Sequence, residues 1–407
     1  MGIYSGLGRY PGVYRVLVSQ LTARFPFGML SIIMLLHIQL GYGDYTSAGI
    51  VLAAQSTGQA ISGPLSSRLM GRLGMRPVLG ATSVLCAGLL LTIAFTRPPI
   101  LVVVAVAFLV GLSTPPVTPA VRTIYPKLVP GTQLPALFSL DAAAQEIIWV
   151  IGPVVAVFVS SQFGTAAGLA VAAAFMVFGG AWFVLSPALG SIRIPKPRRG
   201  LGAVLRHPTV VISTVISFFF VAAFAAIETG IVAAFSTGES GHGSMESGIV
   251  LAIFAGGSLV GGLVFGHRTM RPWSLLLRML IVLAGTLACL ISLDMWWMSA
   301  VLFIGGLGTA PVFAAISSIV AATVKMSEMT EAYGWIGTGQ LVGVAMGSAL
   351  GGVAIDHFDA PGAIAVSAGL LAVSALCAAV AMRWLPDLKG RVIEPPAETG
   401  TMTIPLP

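Results

Sequence analysis

The sequence predicts an all-α membrane protein with twelve transmembrane helices in two parallel six-helix repeats, and three observations support this prediction. The chain of 407 residues is 57% hydrophobic and only 9% charged, whereas a soluble domain has roughly 25% charged residues. Apolar runs long enough to cross a bilayer recur along the chain, and the second half repeats the first at a constant offset. This composition argues against a secreted domain, a cytosolic enzyme and a DNA-binding protein.

The apolar runs give twelve candidate helices, because about 20 apolar residues cover the hydrocarbon core. They lie at 14–40, 46–69, 78–96, 99–121, 135–161, 165–187, 209–235, 246–266, 274–293, 296–322, 331–355 and 361–384. Prolines predict kinks in the fourth run, at Pro115, Pro116 and Pro119, and in the tenth, at Pro311. The first run is not followed by the cleavage site of a signal peptide, so we expect it to be retained.

The basic residues predict the orientation. Of the 21 Lys and Arg residues, only Arg97 falls on the side opposite the N-terminus and only Arg24 lies about ten residues inside a run, whereas the other 19 lie in or near the loops on the N-terminal side. Because Lys and Arg concentrate in cytoplasmic loops, both termini are expected in the cytoplasm and the chain in the inner (plasma) membrane. The net charge of +7 is then a topology signal, with anionic lipids of the cytoplasmic leaflet as the partner rather than nucleic acid.

The duplication appears when the chain is compared with itself at an offset of 195 residues. Repeated residues include Phe108, Gly111, Pro116 and Gln145, which return as Phe303, Gly306, Pro311 and Gln340. Six runs separate the partners, so the two halves have the same orientation, as in many secondary transporters. The expected organisation is an N-terminal bundle at 1–188, a basic cytoplasmic linker at 189–207, a C-terminal bundle at 208–385 and a disordered cytoplasmic tail at 386–407.

Residues 67–76, at the end of the second run and in the loop after it, read Ser-Arg-Leu-Met-Gly-Arg-Leu-Gly-Met-Arg. They keep Leu69, Arg72, Gly74 and Arg76 of the pattern Gly-x-Leu-x-Asp-Arg-x-Gly-Arg-Arg, with Ser67, Gly71 and Met75 at the other defined positions, so that Gly71 occupies the acidic position. With this loop and its duplicated runs, the chain resembles the major facilitator superfamily of secondary transporters. The resemblance covers nearly the whole chain and implies that superfamily's two-bundle fold and alternating access.

Three further stretches bear on the kind of transport that the resemblance implies. Exporters of the superfamily often carry Gly-x-x-x-Gly-Pro-x-x-Gly-Gly in the fifth span. Here the fifth run keeps Gly152 and Pro153, and the eleventh has the pattern with Ser348 in place of proline. Many proton-coupled exporters have an arginine in the fourth span where this chain has Ala107. The resemblance favours proton-coupled efflux of drug- or metabolite-like molecules. A nutrient or sugar facilitator or a proton symporter is the alternative, and a non-transporting membrane sensor is a third hypothesis.

Charges inside the runs are the first candidates for function, because each costs at least about 2.5–3.5 kcal/mol there. They are Arg24, Asp141, Glu146 and Glu228. We expect Arg24 to pair with Glu146, either for proton coupling or only to fix the packing of two helices. Asp141 lies nearer the cytoplasmic end and is a candidate gate residue that pairs with Arg72 or Arg122.

Glu228 has no basic residue in its own run. A carboxyl group removed from water favours its neutral form, which suits a group that takes up and releases a proton. Two interpretations remain open: Glu228 carries the coupled proton, or it is a neutral carboxyl group hydrogen-bonded to a helix carbonyl.

Uncharged side chains are candidates for a substrate cavity. They are Phe25, Gln145, Trp335 and Gln340. Because Gln145 and Gln340 are repeat mates, we expect them at symmetric places, either to bind substrate or to hydrogen-bond between helices. The aromatic residues, together with Phe219 and Phe220, either form a cavity wall or face lipid.

A cytoplasmic gate is predicted from Arg68, Arg72, Arg76 and Glu331. Gly71 leaves the basic motif without its acidic partner. Glu331 begins the eleventh run, where the helix dipole favours a carboxylate. We therefore expect Glu331 to pair with Arg72 or Arg76 when the inner gate closes.

No sequence pattern supports enzyme chemistry. A Gly-x-x-x-x-Gly-Lys-Ser/Thr nucleotide loop is missing, and the five histidines and three cysteines show no zinc-binding spacing. We expect no metal and no cofactor, a proton gradient as the energy source, and a monomer whose partners are its small-molecule substrate and the bilayer.

Overall fold

The computed structural model describes residues 6–43, 45–187, 189, 200–236, 243–268 and 271–396, and over these residues the chain is helical without strands. The first half contains α1 (Val13–Arg24), α2 (Phe27–Tyr42), α3 (Tyr45–Leu73), α4 (Met75–Phe95), α5 (Ile100–Leu112), α6 (Val117–Leu128), α7 (Leu134–Phe163) and α8 (Thr165–Val184). The second half contains α9 (Pro208–Ser236), α10 (Gly243–Phe265), α11 (Pro272–Ala288), α12 (Met295–Gly306), α13 (Thr309–Thr323) and α14 (Met326–Ala381). Short 3₁₀ turns lie at Leu7–Arg9 and Ala203–Arg206.

Helix breaks follow the prolines. Pro26 separates α1 from α2, Pro116 directly precedes α6, and Pro311 lies in the first turn of α13. Each proline therefore stands at the start of a helix, where its missing N–H group would have no partner. The breaks before α6 and α13 confirm the kinks predicted in the fourth and tenth runs. Asp359, with a φ of 54°, divides α14 into a first part at 326–358 and a second part at 360–381.

Within the described residues, nine helical segments are long and apolar enough to cross a membrane. Tyr45–Leu73 is not among them, Pro272–Ala288 is a shorter apolar helix, and Met326–Ala381 counts as one segment although it contains two helices. The all-α membrane fold is therefore confirmed, whereas the number twelve stays a prediction.

Glycines that are mates of the 195-residue repeat make equivalent helix contacts. Gly152 of α7 packs against Gly28 of α2, and its mate Gly347 of α14 packs against Ala222 of α9. In each pair the glycine faces the backbone of the neighbouring helix, so a side chain there would clash. The repeated glycines thus allow close helix approach in both halves.

The two halves contact each other at the end of the bundle where α7, α9 and α14 begin, here named the linker side. Gly63 of α3 packs on the backbone of Gly334 in α14, and the Thr338 hydroxyl donates to the Ala60 carbonyl at 2.7 Å. In the second contact, the Ser139 hydroxyl of α7 donates to a backbone carbonyl of α10. These contacts close the linker side.

Residues 386–396 are packed rather than disordered, which differs from the sequence expectation for the tail. Leu388 and Ile393 are buried, and the Ile393 backbone lies against Gly131 between α6 and α7. The reason is that these two apolar residues of an otherwise largely polar segment join the main hydrophobic cluster. The remaining parts of the predicted linker and tail, 190–199 and 397–407, lie outside the described residues.

Candidate functional site

A buried ion network in the first half is centred on Asp141 of α7, whose side chain is completely buried. Arg24 Nη1, at the end of α1, lies 3.3 Å from Asp141 Oδ1. Arg122 Nε, in α6, lies 3.6 Å from Asp141 Oδ2. One carboxylate therefore faces two guanidinium groups, both nearly buried.

Neutral groups complete the coordination of this carboxylate. Gln20 Nε2 donates to Asp141 Oδ1 at 2.9 Å, and the Tyr125 hydroxyl donates to the same oxygen at 3.1 Å. Gln145 Nε2 donates to Oδ2 at 3.2 Å. Helical spacing explains part of the arrangement, because Gln145 follows Asp141 by four residues on one face of α7. Arg24 likewise follows Gln20 by four residues and donates to its Oε1 at 2.9 Å.

The expected pairing of Arg24 with Glu146 is wrong, since Arg24 binds Asp141. The two acids are five residues apart on α7, which turns their side chains about 140° away from each other around the helix. Asp141 consequently points into the first half and Glu146 toward the second. Of the two partners considered for Asp141, the structure places Arg122 beside it, while Arg72 is exposed.

Glu146 lies at a contact between the halves. The Ser258 hydroxyl of α10 donates to Glu146 Oε1 at 2.8 Å. The same hydroxyl oxygen accepts the backbone N–H of Ala310, in the first turn of α13, at 3.2 Å. Ser258 therefore connects Glu146 of the first half with the beginning of a helix in the second half.

Glu228 of α9 is exposed, whereas Asp141 is completely buried and Glu146 is partly buried. The Glu228 side chain lines a groove between α9 and α14, together with Thr229 and Ser348. Among the described residues, no basic side chain lies within salt-bridge distance of Glu228.

The aromatic residues proposed for a cavity wall pack inside the halves instead. Phe25 contacts Phe175 of α8, with ring centroids 5.1 Å apart. Phe220 is fully buried and packs against Phe224 and Phe313. These side chains fill the space between helices, which corrects the prediction of an aromatic wall for Phe25 and Phe220.

The other cavity candidates have different surroundings. Trp335 is partly buried, and its indole N–H has no hydrogen-bond acceptor among the described residues. Gln340 is also partly buried. Gln145 and Gln340 are not equivalent in chemistry, because Gln145 binds Asp141 whereas the repeat mate of Asp141 is Ile336.

The expected gate pair between Glu331 and Arg72 or Arg76 is absent although the linker side is closed. Glu331 is buried, and its Oε1 accepts the backbone N–H of Gly202 at 2.6 Å. Arg72 is exposed, and Arg76 donates to the Ser186 carbonyl at 3.1 Å. Glu331 turns toward the segment that precedes α9 in its own half, so this carboxylate is already satisfied.

Arg68 and Glu328 complete the description of this region. Arg68 lies partly buried near the end of α3. Glu328, one turn before Glu331, pairs with His207 at 2.9 Å, which ties the segment before α9 to α14 a second time. The linker side is thus held by contacts within the second half as well as by contacts between the halves.

Comparison with known proteins decides the family. The profile of the Major Facilitator Superfamily matches residues 16–294 and 265–403. The chain belongs to this superfamily. Members of the superfamily are transporters rather than enzymes, and the fold agrees with that assignment.

A sequence relative and several solved structures resemble this transporter. An uncharacterized MFS-type transporter from Sinorhizobium fredii is 26% identical over 280 residues, which are 65% of this chain and 68% of that protein. The human organic anion transporter MFSD10 has a TM-score of 0.70 at 14% identity, covering 90% of this chain and 98% of its own. A bacterial homologue of the iron transporter ferroportin, in an outward-facing state with soaked iron, has a TM-score of 0.70 at 12% identity with the same coverage. The proton:xylose symporter XylE scores 0.69 at 14% identity, covering 94% of this chain and 98% of its own.

Two kinds of residue in the transporter's site region were not predicted from the sequence. Gln20 and Tyr125 are uncharged; the position of Gln20 inside an apolar run could have marked it, whereas Tyr125 lies outside the predicted runs and carried no such signal. Arg278 was assigned to the inner loops, yet it is nearly buried in α11 and donates to the Pro311 carbonyl at 2.9 Å and the Arg268 carbonyl at 3.3 Å. The signal was its position inside a predicted run, and its guanidinium group satisfies one carbonyl in the first turn of α13 and one just after α10.

Proposed function

We propose that this transporter exports drug- or metabolite-like organic molecules in exchange for protons by alternating access. Its termini lie in the cytoplasm, and the linker side is the cytoplasmic side of the inner membrane. The bias of Lys and Arg toward this side supports the orientation. The glycine pattern of α14, whose Gly343 and Gly347 pack tightly against α9, supports export.

The observation that carries the proposal is the Asp141 network. When Asp141 is ionised, its charge offsets those of Arg24 and Arg122, which are 3.3 and 3.6 Å away. Protonation of Asp141 removes that compensation and leaves two positive charges close together in a region of low dielectric. Helices α1, α6 and α7 then have a reason to rearrange when a proton binds.

The network lies where such a rearrangement reaches the contact between the halves. Asp141 and Glu146 are on the same helix, and Glu146 is joined to α10 through Ser258. Movement of α7 would therefore strain or release the linker-side contact. Alternating access requires this coupling, because proton binding must favour one arrangement of the halves over the other.

Proteoliposomes with an imposed pH gradient test the proposal. Release of internal protons when an exported compound is added supports exchange, and co-entry of proton and solute supports symport. If no compound of a broad panel causes either proton movement, the result supports a sensor.

Asp141→Asn is expected to abolish uphill transport, because the site can no longer exchange a proton. Asp356→Asn, at an exposed position of α14, is the matched control and should transport like the wild type. Uphill transport by Asp141→Asn at the wild-type rate would contradict the proposal.

A proton-coupled symporter is the second candidate. Ala107, at the position where many exporters have an arginine, is fully buried in the core of the first half. The transporter also shares its fold with the proton:xylose symporter XylE. The direction in which proton and solute move in the proteoliposome experiment separates the two candidates.

A further inference from the structure

We propose that the groove beside Glu228 binds the positively charged group of an amphipathic organic cation. This inference rests on the proposed transport function and names its substrate class. Its four grounds are the side of α9 on which Glu228 lies, the lining of the groove, the charges around it and its depth in the bundle.

Glu228 lies on the side of α9 that the second half leaves open. Ala222 packs on the glycines of α14, the Ala223 carbonyl accepts a hydrogen bond from Ser367 at 2.8 Å, and Phe220 packs on a ring of α13. By helical periodicity, Glu228 falls on the remaining side, opposite Ser367. That side lies between the first part of α14 and α10, both of which contact the first half. Glu228 therefore faces the space between the halves.

The groove has the size and lining of a site for a small amphipathic molecule. Its volume is about 430 Å³, within the usual range for ligand pockets. Ala225, Val232 and Ile355 line it with apolar surface, while Thr229 and Ser348 add hydroxyl groups beside the carboxylate. One charge with a mostly apolar wall fits a ligand that has one charged group and an apolar body.

The surrounding charges select a cation. Among the described residues Glu228 has no basic partner within salt-bridge distance, so its charge is available to a ligand. The buried arginines Arg24 and Arg122 are paired with Asp141 in the other half. A divalent metal needs several oxygen or nitrogen ligands, and no group of three His, Cys, Asp or Glu side chains occurs in the described part of the chain.

The depth of the groove agrees with alternating access. Glu228 is twenty residues into α9, which places it about 30 Å along the helix from the linker side. The contacts between Ala60 and Thr338 and between Glu146 and Ser258 lie nearer the linker side. A ligand at Glu228 is therefore separated from the linker side by closed contacts, while the groove itself is open.

Two ions of matched size and opposite charge test the inference. Binding of radiolabelled tetraphenylphosphonium and tetraphenylborate is measured by equilibrium dialysis on the purified full-length transporter in nanodiscs, without any gradient. The wild type is expected to bind tetraphenylphosphonium saturably and tetraphenylborate only in proportion to the lipid present. Glu228→Gln should weaken tetraphenylphosphonium binding at least tenfold, because the ligand loses its counter-ion.

Matched variants keep the result interpretable. Glu246→Gln, in the first turn of α10, removes a carboxylate outside the groove and should bind like the wild type. Val232→Trp is placed at a half-exposed position and fills the groove without changing its charge, so it should also weaken binding. Each variant is checked for a monodisperse elution profile before binding is measured.

The inference is overturned if the wild type shows no saturable binding of tetraphenylphosphonium, if Glu228→Gln binds it like the wild type, or if tetraphenylborate binds as tightly. Because binding is measured without a gradient, the two proposals fail separately. Proton-coupled transport without a Glu228-dependent cation site contradicts only the inference. A Glu228-dependent cation site in a protein that moves no protons contradicts only the proposed function.

Discussion

Acidic residues on one helix of this transporter have different surroundings because they lie on different faces of that helix. Asp141 and Glu146 have the same chemistry and lie on one helix. Asp141 is enclosed by two arginines, whereas Glu146 accepts one hydrogen bond from the opposite half. The first arrangement balances the charges of two buried arginines, and the second is a hydrogen bond between the two halves.

Ser258→Ala tests that hydrogen bond. The change removes the donor to Glu146 and the acceptor for the Ala310 N–H. A lost hydrogen bond is worth about 1 kcal/mol, so we expect roughly a fivefold shift away from the linker-side-closed arrangement. Spin labels at Ile61 of α3 and Gly337 of α14, next to the contact between Ala60 and Thr338, would report longer distances.

The control for this measurement is Ser161→Ala, whose hydroxyl bonds only a carbonyl of its own helix at 2.9 Å. Its label distances should match those of the wild type. Identical distance distributions in Ser258→Ala and the wild type would show that Glu146 does not hold the halves together.

Close packing between the helices of this fold depends on which glycines face a neighbouring backbone. Along the first part of α14, Gly343 and Gly347 face α9, while Gly352 faces open space. The glycines spaced by four positions, Gly339, Gly343, Gly347 and Gly351, all lie against α9, as their common helix face predicts. The sequence did not identify α9 as the helix they meet, because that depends on how the bundle is packed.

Gly347→Ala and Gly352→Ala test which face of α14 packs against α9. A methyl group on Gly347 meets the Ala222 backbone, whereas one on Gly352 meets nothing within 4 Å. We expect Gly347→Ala to lower the free energy of unfolding by about 1–3 kcal/mol. Gly352→Ala should leave it unchanged or slightly raised, because alanine favours the helix. Equal thermal unfolding temperatures for the two variants would contradict this packing.

At the scale of the whole molecule, the two halves contact each other on the linker side. The Thr338 hydroxyl bonds the Ala60 carbonyl, and Gly63 lies against Gly334 one turn further toward the linker side. If alternating access requires these surfaces to part, a covalent bond between them must stop transport.

Cysteines at Ala60 and Thr338 would provide that bond, in a variant whose native Cys86, Cys289 and Cys377 are replaced. Oxidation is expected to cross-link the halves and reduce transport to background, and reduction should restore it. Each single-cysteine variant is the control and should transport with or without oxidant. Full transport by the cross-linked protein would rule out opening at this surface.

Part of the candidate site could be predicted from sequence and part could not. A charge inside an apolar run is visible in composition, and Arg24, Asp141, Glu146 and Glu228 were found in this way. Their partners were not, because partners come from helices far apart in the chain. Arg24 and Asp141 are 117 residues apart, and nothing local to either one identifies the other.

The sequence by itself determined where most apolar helices of this protein lie, and the tertiary structure decided which partners their polar side chains bind. Hydropathy predicts the apolar helices, proline predicts their breaks, and the repeat predicts two parallel halves, because each depends on residues close together in the chain or on one offset. Glu331 shows the limit of such reasoning. Its helix begins at Met326 rather than at Glu331 as predicted, so Glu331 lies in the second turn, and its partner is Gly202 rather than Arg72 or Arg76. Helix rotation and the approach of distant segments select the partner, and these are properties of the packed bundle.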